Sequence, residues 1–315
     1  MPSSSPIVVL DSGLGGLTVA RAIHNLLPDE KILYFGDTAR LPYGSKTAET
    51  VTAFVREILA YLRPHNPKHV VIACNTATAL SLPAIRASYP DTPVTGVVEP
   101  GAKAAVVAAG PQQVPIIGVI ATEATIRSRA YERAIVRRRA HSRLLLKATP
   151  LLVPIIEEGR GEEDPLVRLA LKQYLSPLVH HRMQVLVLGC THYPILKALI
   201  QQLLGPAVRV IDSAEQCAHD VARRLRAAGL LNTGGEHPGA RSDALRCFVT
   251  DDPPRFARLA SRFLGFEVST PTWVSPEELH AMAEAPPPPP VPMPVPVPAE
   301  EAQFGSEPIR LSVPA

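Results

Sequence analysis

Val70-Val71-Ile72-Ala73-Cys74-Asn75-Thr76-Ala77-Thr78-Ala79 changes character at its middle. The first half is an apolar, β-branched run and the second is rich in Thr and Ala, so it reads as a buried strand delivering a cysteine to the start of a helix. Backbone N–H groups at a helix N-terminus favour negative charge, so the position predicts a thiol held below its free value of about 8.5. The pattern recurs at Val185-Leu186-Val187-Leu188-Gly189-Cys190-Thr191-His192-Tyr193-Pro194, with Pro194 suited to a first helical turn. Two cysteines in matched strand-to-helix turns predict two similar α/β halves facing one site. The competing expectation is a pair of inert core cysteines.

Outward from these units the chain alternates strands and helices. Ile7 to Leu10 reads as a strand, followed by Asp11-Ser12-Gly13-Leu14-Gly15-Gly16 and a helix to about Leu27. The glycines suggest a dinucleotide loop, but position 18 is Thr18, so the third glycine of that fingerprint is missing. Asp11 and Ser12, a carboxylate and a hydroxyl at a strand end, sit where α/β proteins bind ligands; they would also serve as a helix cap. Lys31 to Phe35 predicts a strand, Gly36 to Ser45 a polar and aromatic loop able to line a pocket, and Thr47 to Arg63 an amphipathic helix. Further strands are expected at Val94 to Val98, Ile116 to Ile120, Leu144 to Ala148, Val208 to Ile211, Cys247 to Thr250 and Phe266 to Ser269. Thr149 to Gly159 reads as an extended segment ending in paired carboxylates, and Asp164 to His181 as a helix. Ser213 is the expected cap of a helix reaching Ala228. Asn232 to Asp243 is expected to be a mobile loop.

At 315 residues with 46% hydrophobic content the chain can build two α/β cores. A net charge of +3 does not point to nucleic acid. The Arg127 to Arg143 run holds seven arginines and reads as a solvated helix face. Cys74, Cys190, Cys217 and Cys247 form no CxxC pair, and Cys190 with His192 lacks a third or fourth ligand, so no metal is expected. Without a secretory signal at the N-terminus or an apolar run of about 18 residues, a soluble cytoplasmic protein with no membrane partner is expected. Nine of the thirteen residues from Pro286 to Pro298 are proline, which predicts a disordered tail over 285–315.

Asp11 to Gly16, Tyr34-Phe35-Gly36-Asp37-Thr38 through Pro42-Tyr43-Gly44, Cys74-Asn75-Thr76-Ala77, Gly189 to Pro194 and Asp212-Ser213-Ala214 together resemble the motif set of the glutamate racemases. The resemblance covers roughly Ile7 to Ala214. It implies two flavodoxin-like, doubly wound domains of mainly parallel sheet with the active site between them: residues 1–98 plus 209–271 in the first and 99–208 in the second. It implies Cys74 and Cys190 as the two acid/base catalysts, Cys74 deprotonating D-glutamate and Cys190 L-glutamate, with Asp11, His192 and Glu157 in support. Asp11, Ser12, Tyr43, Gly44, Asn75, Thr76, Thr191 and His192 are the implied substrate-binding residues. It also implies the small-molecule substrate glutamate, no cofactor, a possible homodimer, and a role supplying D-glutamate for peptidoglycan. Aspartate racemase or a related cofactor-independent isomerase is the near alternative. A nucleotide-dependent oxidoreductase or a non-catalytic binding protein are the more distant ones.

Overall fold

The computed structural model describes residues 2–233 and 244–284; the expected tail and most of the expected Asn232 to Asp243 loop lie outside them. In chain order the elements are β1 (Ile7–Asp11), α1 (Leu17–Leu26), β2 (Ile32–Gly36), α2 (Ala48–Leu62), β3 (His69–Ile72), α3 (Asn75–Ser88), β4 (Val94–Gly96) and α4 (Val98–Ala108). There follow β5 (Ile116–Ala121), α5 (Glu123–Arg127), α6 (Ala130–Val136), β6 (Arg143–Ala148), α7 (Leu152–Glu157), α8 (Pro165–Val179), β7 (Val185–Gly189), α9 (Lys197–Leu204) and β8 (Arg209–Asp212). The described residues end with α10 (Ser213–Ala227), β9 (Leu245–Val249), α11 (Pro253–Leu264), β10 (Thr272–Trp273) and α12 (Pro276–Glu284). No helix among them is long and apolar enough to cross a membrane.

All strand pairs are parallel, and they form two sheets, β10-β9-β2-β1-β3-β4 and β6-β5-β7-β8. The orders β2-β1-β3-β4 and β6-β5-β7-β8 are the same, so the repeat read from the cysteine units is a repeat of topology. In each half the chain reverses winding direction beside its first strand, between β1 and β3 and between β5 and β7. That crevice, at the carboxyl ends of the strands, is where doubly wound folds bind ligands.

Strands buried on both faces need apolar residues throughout, which is why β1 and β7 read as uninterrupted runs. Their alternate residues serve different cores. Val8 and Leu10 face α2, α3 and α12, while Ile7 and Val9 join Leu186 and Leu188 in a core shared by both sheets. Val185 and Val187 face the other way, onto α4 and α6. Each such side chain contributes about 1.5–3 kcal/mol on burial, and the shared core fixes the two crevices relative to each other. Both sheets lie within one compact unit ending at Glu284.

Several sequence expectations are corrected. Arg209–Asp212 pairs with β7, so it belongs to the second sheet and not with the first half. The segment expected to be extended before Gly159 contains α7, whose Pro154 falls in the first turn, where a missing N–H costs no helical bond. No strand forms at Phe266 to Ser269: Gly265 closes α11 in the left-handed region, and Phe266 and Val268 pack their side chains against the shared core instead. The edge strand is β10. The arginine-rich helix is two short helices, divided at Arg129 with φ of 55°. Asp212, not Ser213, caps α10, accepting from Ala214 N at 2.8 Å.

Candidate active site

The Cys74 unit forms as its sequence predicts. β3 ends at Ile72, Cys74 is the cap of α3, and its sulfur accepts from Ala77 N at 3.4 Å. Ser12 Oγ, from the loop after β1, stands 3.6 Å from the same sulfur. The electrostatic expectation is reversed, however. Burial and then the neighbouring Asp11 carboxylate push the Cys74 thiol up to about 12, against the smaller opposing pull of the Ala77 N–H and the Ser12 hydroxyl. Removing a charge from water outweighs the helix terminus.

Cys190 follows β7 in the equivalent place, but the chain then makes a short 3₁₀ turn, Tyr193–Leu196, and Cys190 caps no α-helix. Its partner is a side chain instead. His192 Nδ1 lies 3.8 Å from the Cys190 sulfur, and Nε2 donates to Glu157 Oε1 at 2.9 Å. Burial alone would lower the imidazole; the hydrogen bonds to Cys190 and then Glu157 more than offset it and hold His192 at about 10, so the ring carries its proton at neutral pH. The two cysteine sites are thus built differently: a thiol held protonated on one side, and a sulfur facing an imidazolium on the other.

Asp11, at the end of β1, joins them. It is 1% exposed, accepts from Gly13 N at 3.0 Å and from Thr191 Oγ1 at 3.4 Å, and raises Cys74 by its charge. Burial raises its own carboxyl, with the His192 charge opposing. Thr18 links the same loops, donating to Gly15 O at 2.9 Å and to Thr191 O at 3.1 Å. Gly15 of the first loop therefore serves close approach between halves: a Cβ there would stand 2.4 Å from Thr191 Oγ1.

Asn75 and Thr76 open α3 beside Cys74. Thr76 Oγ1 is 2.8 Å from Thr122 Oγ1 and 3.2 Å from Thr125 Oγ1, across from the first half to the end of β5. Asn75 Oδ1 accepts from Tyr131 OH at 2.7 Å, while its buried Nδ2 has no hydrogen-bond partner. Leaving such a donor unsatisfied costs about 1–3 kcal/mol, which a ligand acceptor would recover.

Gly44 packs on Thr122, a Cβ there standing 3.2 Å from Thr122 Cβ. The Tyr43 hydroxyl does not face this space; it donates to Asp37, which also receives Arg40 Nε at 2.8 Å and Thr250 Oγ1 at 3.0 Å. Tyr43 thus braces the loop, which can offer a ligand backbone groups at Tyr43 and Gly44. Asp37→Asn should loosen that brace, because it discharges a fully buried acceptor and leaves Arg40 with Glu57 alone. The expected result is a loss of about 3 kcal/mol in urea unfolding with a raised KM; unchanged unfolding would show that the brace carries no stability.

Both cysteines are nearly closed off, 6% and 5% exposed. A cavity of about 360 Å³ lies outside them, bounded by Pro42, Gly44, Thr122, Thr149, Glu157 and Arg255. A smaller one of about 190 Å³ meets it at Leu41, Glu157 and Arg255. Glu157 lines both, so the His192 side of the crevice is the one nearest open space. Sequence reasoning missed Tyr131, Thr122, Thr125 and Asp37 as participants. Thr122 stood at a strand end, the one signal available; Tyr131 acts through a partner distant in the chain, and Asp37 through a loop that folds back onto it.

Residues 14–221 match the family model described as Asp/Glu/Hydantoin racemase. The glutamate racemase of Syntrophus aciditrophicus is 44% identical over 264 residues, spanning 84% of this chain and 94% of that relative. Among solved structures, a glutamate racemase isoform from Bacillus anthracis superposes with a TM-score of 0.80 at 38% identity, covering 87% of this chain and 98% of that one. The Francisella tularensis glutamate racemase, in complex with D-glutamate, gives 0.78 at 35% identity over 87% of this chain and 98% of that one. The paired crevices and these likenesses together establish that the chain belongs to the Asp/Glu/hydantoin racemase family, among its glutamate racemases.

Proposed function

We propose that the chain interconverts L- and D-glutamate without a cofactor, using Cys74 and Cys190 as acid and base on opposite faces of the α-carbon. The observation that carries this reading is the pair of cysteines at equivalent strand ends of two sheets with the same strand order, bridged by Asp11 and Thr191. Inversion needs a proton removed from one face and another delivered to the opposite face, so a thiolate and a thiol must flank the substrate. For L-glutamate, the Cys190 sulfur takes the α-proton and the Cys74 thiol gives its own to the other face; the C–H bond lost to one sulfur is replaced by one formed from the other. The product leaves Cys190 protonated and Cys74 as thiolate, which is the state that acts on D-glutamate.

The unlike surroundings of the two cysteines support this division. The protonated His192 ring stands against the Cys190 sulfur, and burial beside Asp11 keeps the proton on Cys74, so the two faces of the site are unlike and Cys74 is the proton donor toward L-glutamate. Glu157 holds the ring and its charge. Backbone and side-chain donors at Ser12, Gly44, Asn75, Thr76 and Thr191 bind the carboxylates, in line with the D-glutamate held by the Francisella relative. The first sheet with its returning C-terminal segment and the second sheet inserted between act as the two domains of one enzyme. The wider reading is a cytoplasmic isomerase, a homodimer without nucleic-acid or membrane partners, whose D-glutamate enters peptidoglycan and so cell-wall biogenesis and cell shape.

Optical rotation of L-glutamate incubated with protein freed of small molecules tests the activity; it should decay to zero. Run in D₂O, early D-glutamate should carry deuterium at the α-carbon while recovered L-glutamate stays protiated, because the two faces use different sulfurs. Deuterium appearing equally in both at early times means one base serves both faces, and the pairing fails. Aspartate turned over in preference to glutamate would move the assignment to the aspartate racemases.

A further inference from the structure

Asn75 presents an asymmetry that the reading above leaves unexplained. Its side chain is an amide, with an acceptor at one end and a donor at the other, and rotation by half a turn exchanges them. In a site meant for carboxylates the exchange matters, since a carboxylate is drawn to the donor and repelled by the acceptor. Asn75 itself is on α3 in the first half, but the group that fixes its amide comes from the second: Tyr131 OH, on α6, donates to Oδ1 at 2.7 Å. Tyr131 is 2% exposed, and two glycines lie against it. A Cβ on Gly189 would stand 3.0 Å from Tyr131 Cε2, and one on Gly101 would stand 3.4 Å from its hydroxyl. Gly189 immediately precedes Cys190, so the strand end that presents the second cysteine also seats the ring.

We infer that Tyr131 is the positioning residue that fixes the Asn75 amide with its NH₂ group toward the ligand, selecting a carboxylate at that point of the site. The inference rests on the proposal that the substrate is glutamate. Three facts carry it: Oδ1 is occupied, Nδ2 is buried and unpartnered, and both residues are buried beside the Cys74 helix cap. Because Tyr131 and Asn75 belong to different halves, the donor is aimed only while the halves are together, which couples carboxylate recognition to the closed crevice.

The test is a double-mutant cycle on glutamate racemisation in both directions. Tyr131→Phe keeps the ring in its glycine seat and removes only the hydroxyl; KM should rise about tenfold with kcat much less affected. In an Asn75→Ala background the same change should cost less than about twofold, since the amide it orients is gone. Thermal unfolding of Tyr131→Phe should match the wild type closely, so that the rise in KM is read against an intact fold. Equal losses from Tyr131→Phe in both backgrounds, or an unchanged KM in the single variant, would each overturn the inference. A wild-type protein that does not racemise glutamate would instead remove the substrate assignment on which it rests.

Discussion

Cys74→Ala and Cys190→Ala are each expected to lower racemisation of glutamate by roughly 10³-fold or more in both directions, while leaving the fold and glutamate binding largely intact. Each direction needs both sulfurs, one to take a proton and one to supply it, so losing either breaks both. The two losses should differ in what survives. Cys74→Ala retains the Cys190–His192–Glu157 chain, so it should still exchange the α-proton of L-glutamate with solvent deuterium, without inversion. Cys190→Ala removes the sulfur that faces His192 and should show the corresponding exchange only with D-glutamate. NMR of the α-proton in D₂O reads both outcomes. Neither substitution should disturb packing greatly, because the β3 and β7 strands that deliver the sulfurs are held by Val71, Ile72, Leu186 and Leu188, all fully buried. Substantial inversion by either variant would remove the pairing of the two cysteines.

How much of this was legible in the sequence follows from the range of the interactions. The cysteine units were readable because the signal is local: an apolar run sets a strand buried on both faces, and the Thr/Ala-rich run after it sets a helix start. The repeated strand order was implicit in their similarity. The Cys74 thiol was misread for the same reason in reverse. A helix terminus is visible in ten residues, but the burial and the Asp11 charge that dominate come from a strand end more than sixty positions away. His192 could be assigned to Cys190 by adjacency alone, whereas Tyr131 opposite Asn75 and Asp37 beneath Tyr43 depend on how the halves dock and how a loop folds back. The failed strand at Phe266 to Ser269 had the right composition; alternation of apolar residues there serves side-chain packing without backbone pairing.

Gly15→Ala is expected to damage catalysis severely, with kcat/KM falling by about 10²-fold or more. The reason is the distance from the first loop to the second cysteine's partners. A Cβ at this position would stand 2.4 Å from Thr191 Oγ1, 2.5 Å from His192 Nδ1 and 2.7 Å from His192 Cε1, so something must move. His192 has little freedom to do so: Nε2 is tied to Glu157 at 2.9 Å, and the ring meets Phe263 edge-on at 5.9 Å. Thr191 is held by its hydroxyl on Asp11 and by its carbonyl, which accepts from Thr18. The added methyl therefore either turns Nδ1 away from the Cys190 sulfur or forces the β1 and β7 loops apart, and both outcomes spoil the alignment of one proton carrier with the other. Overpacking of this kind costs about 1–3 kcal/mol of stability, so the variant should still fold. The loss in kcat/KM must be equal for the two enantiomers, because their equilibrium in achiral water is fixed at unity. If His192 is displaced, the ring also loses the hydrogen bonds that keep it protonated, so NMR should find its titration moved down from about 10 toward the ordinary histidine range. An active Gly15→Ala variant with an unmoved His192 titration would mean that the first loop does not press on Thr191 and His192 in solution.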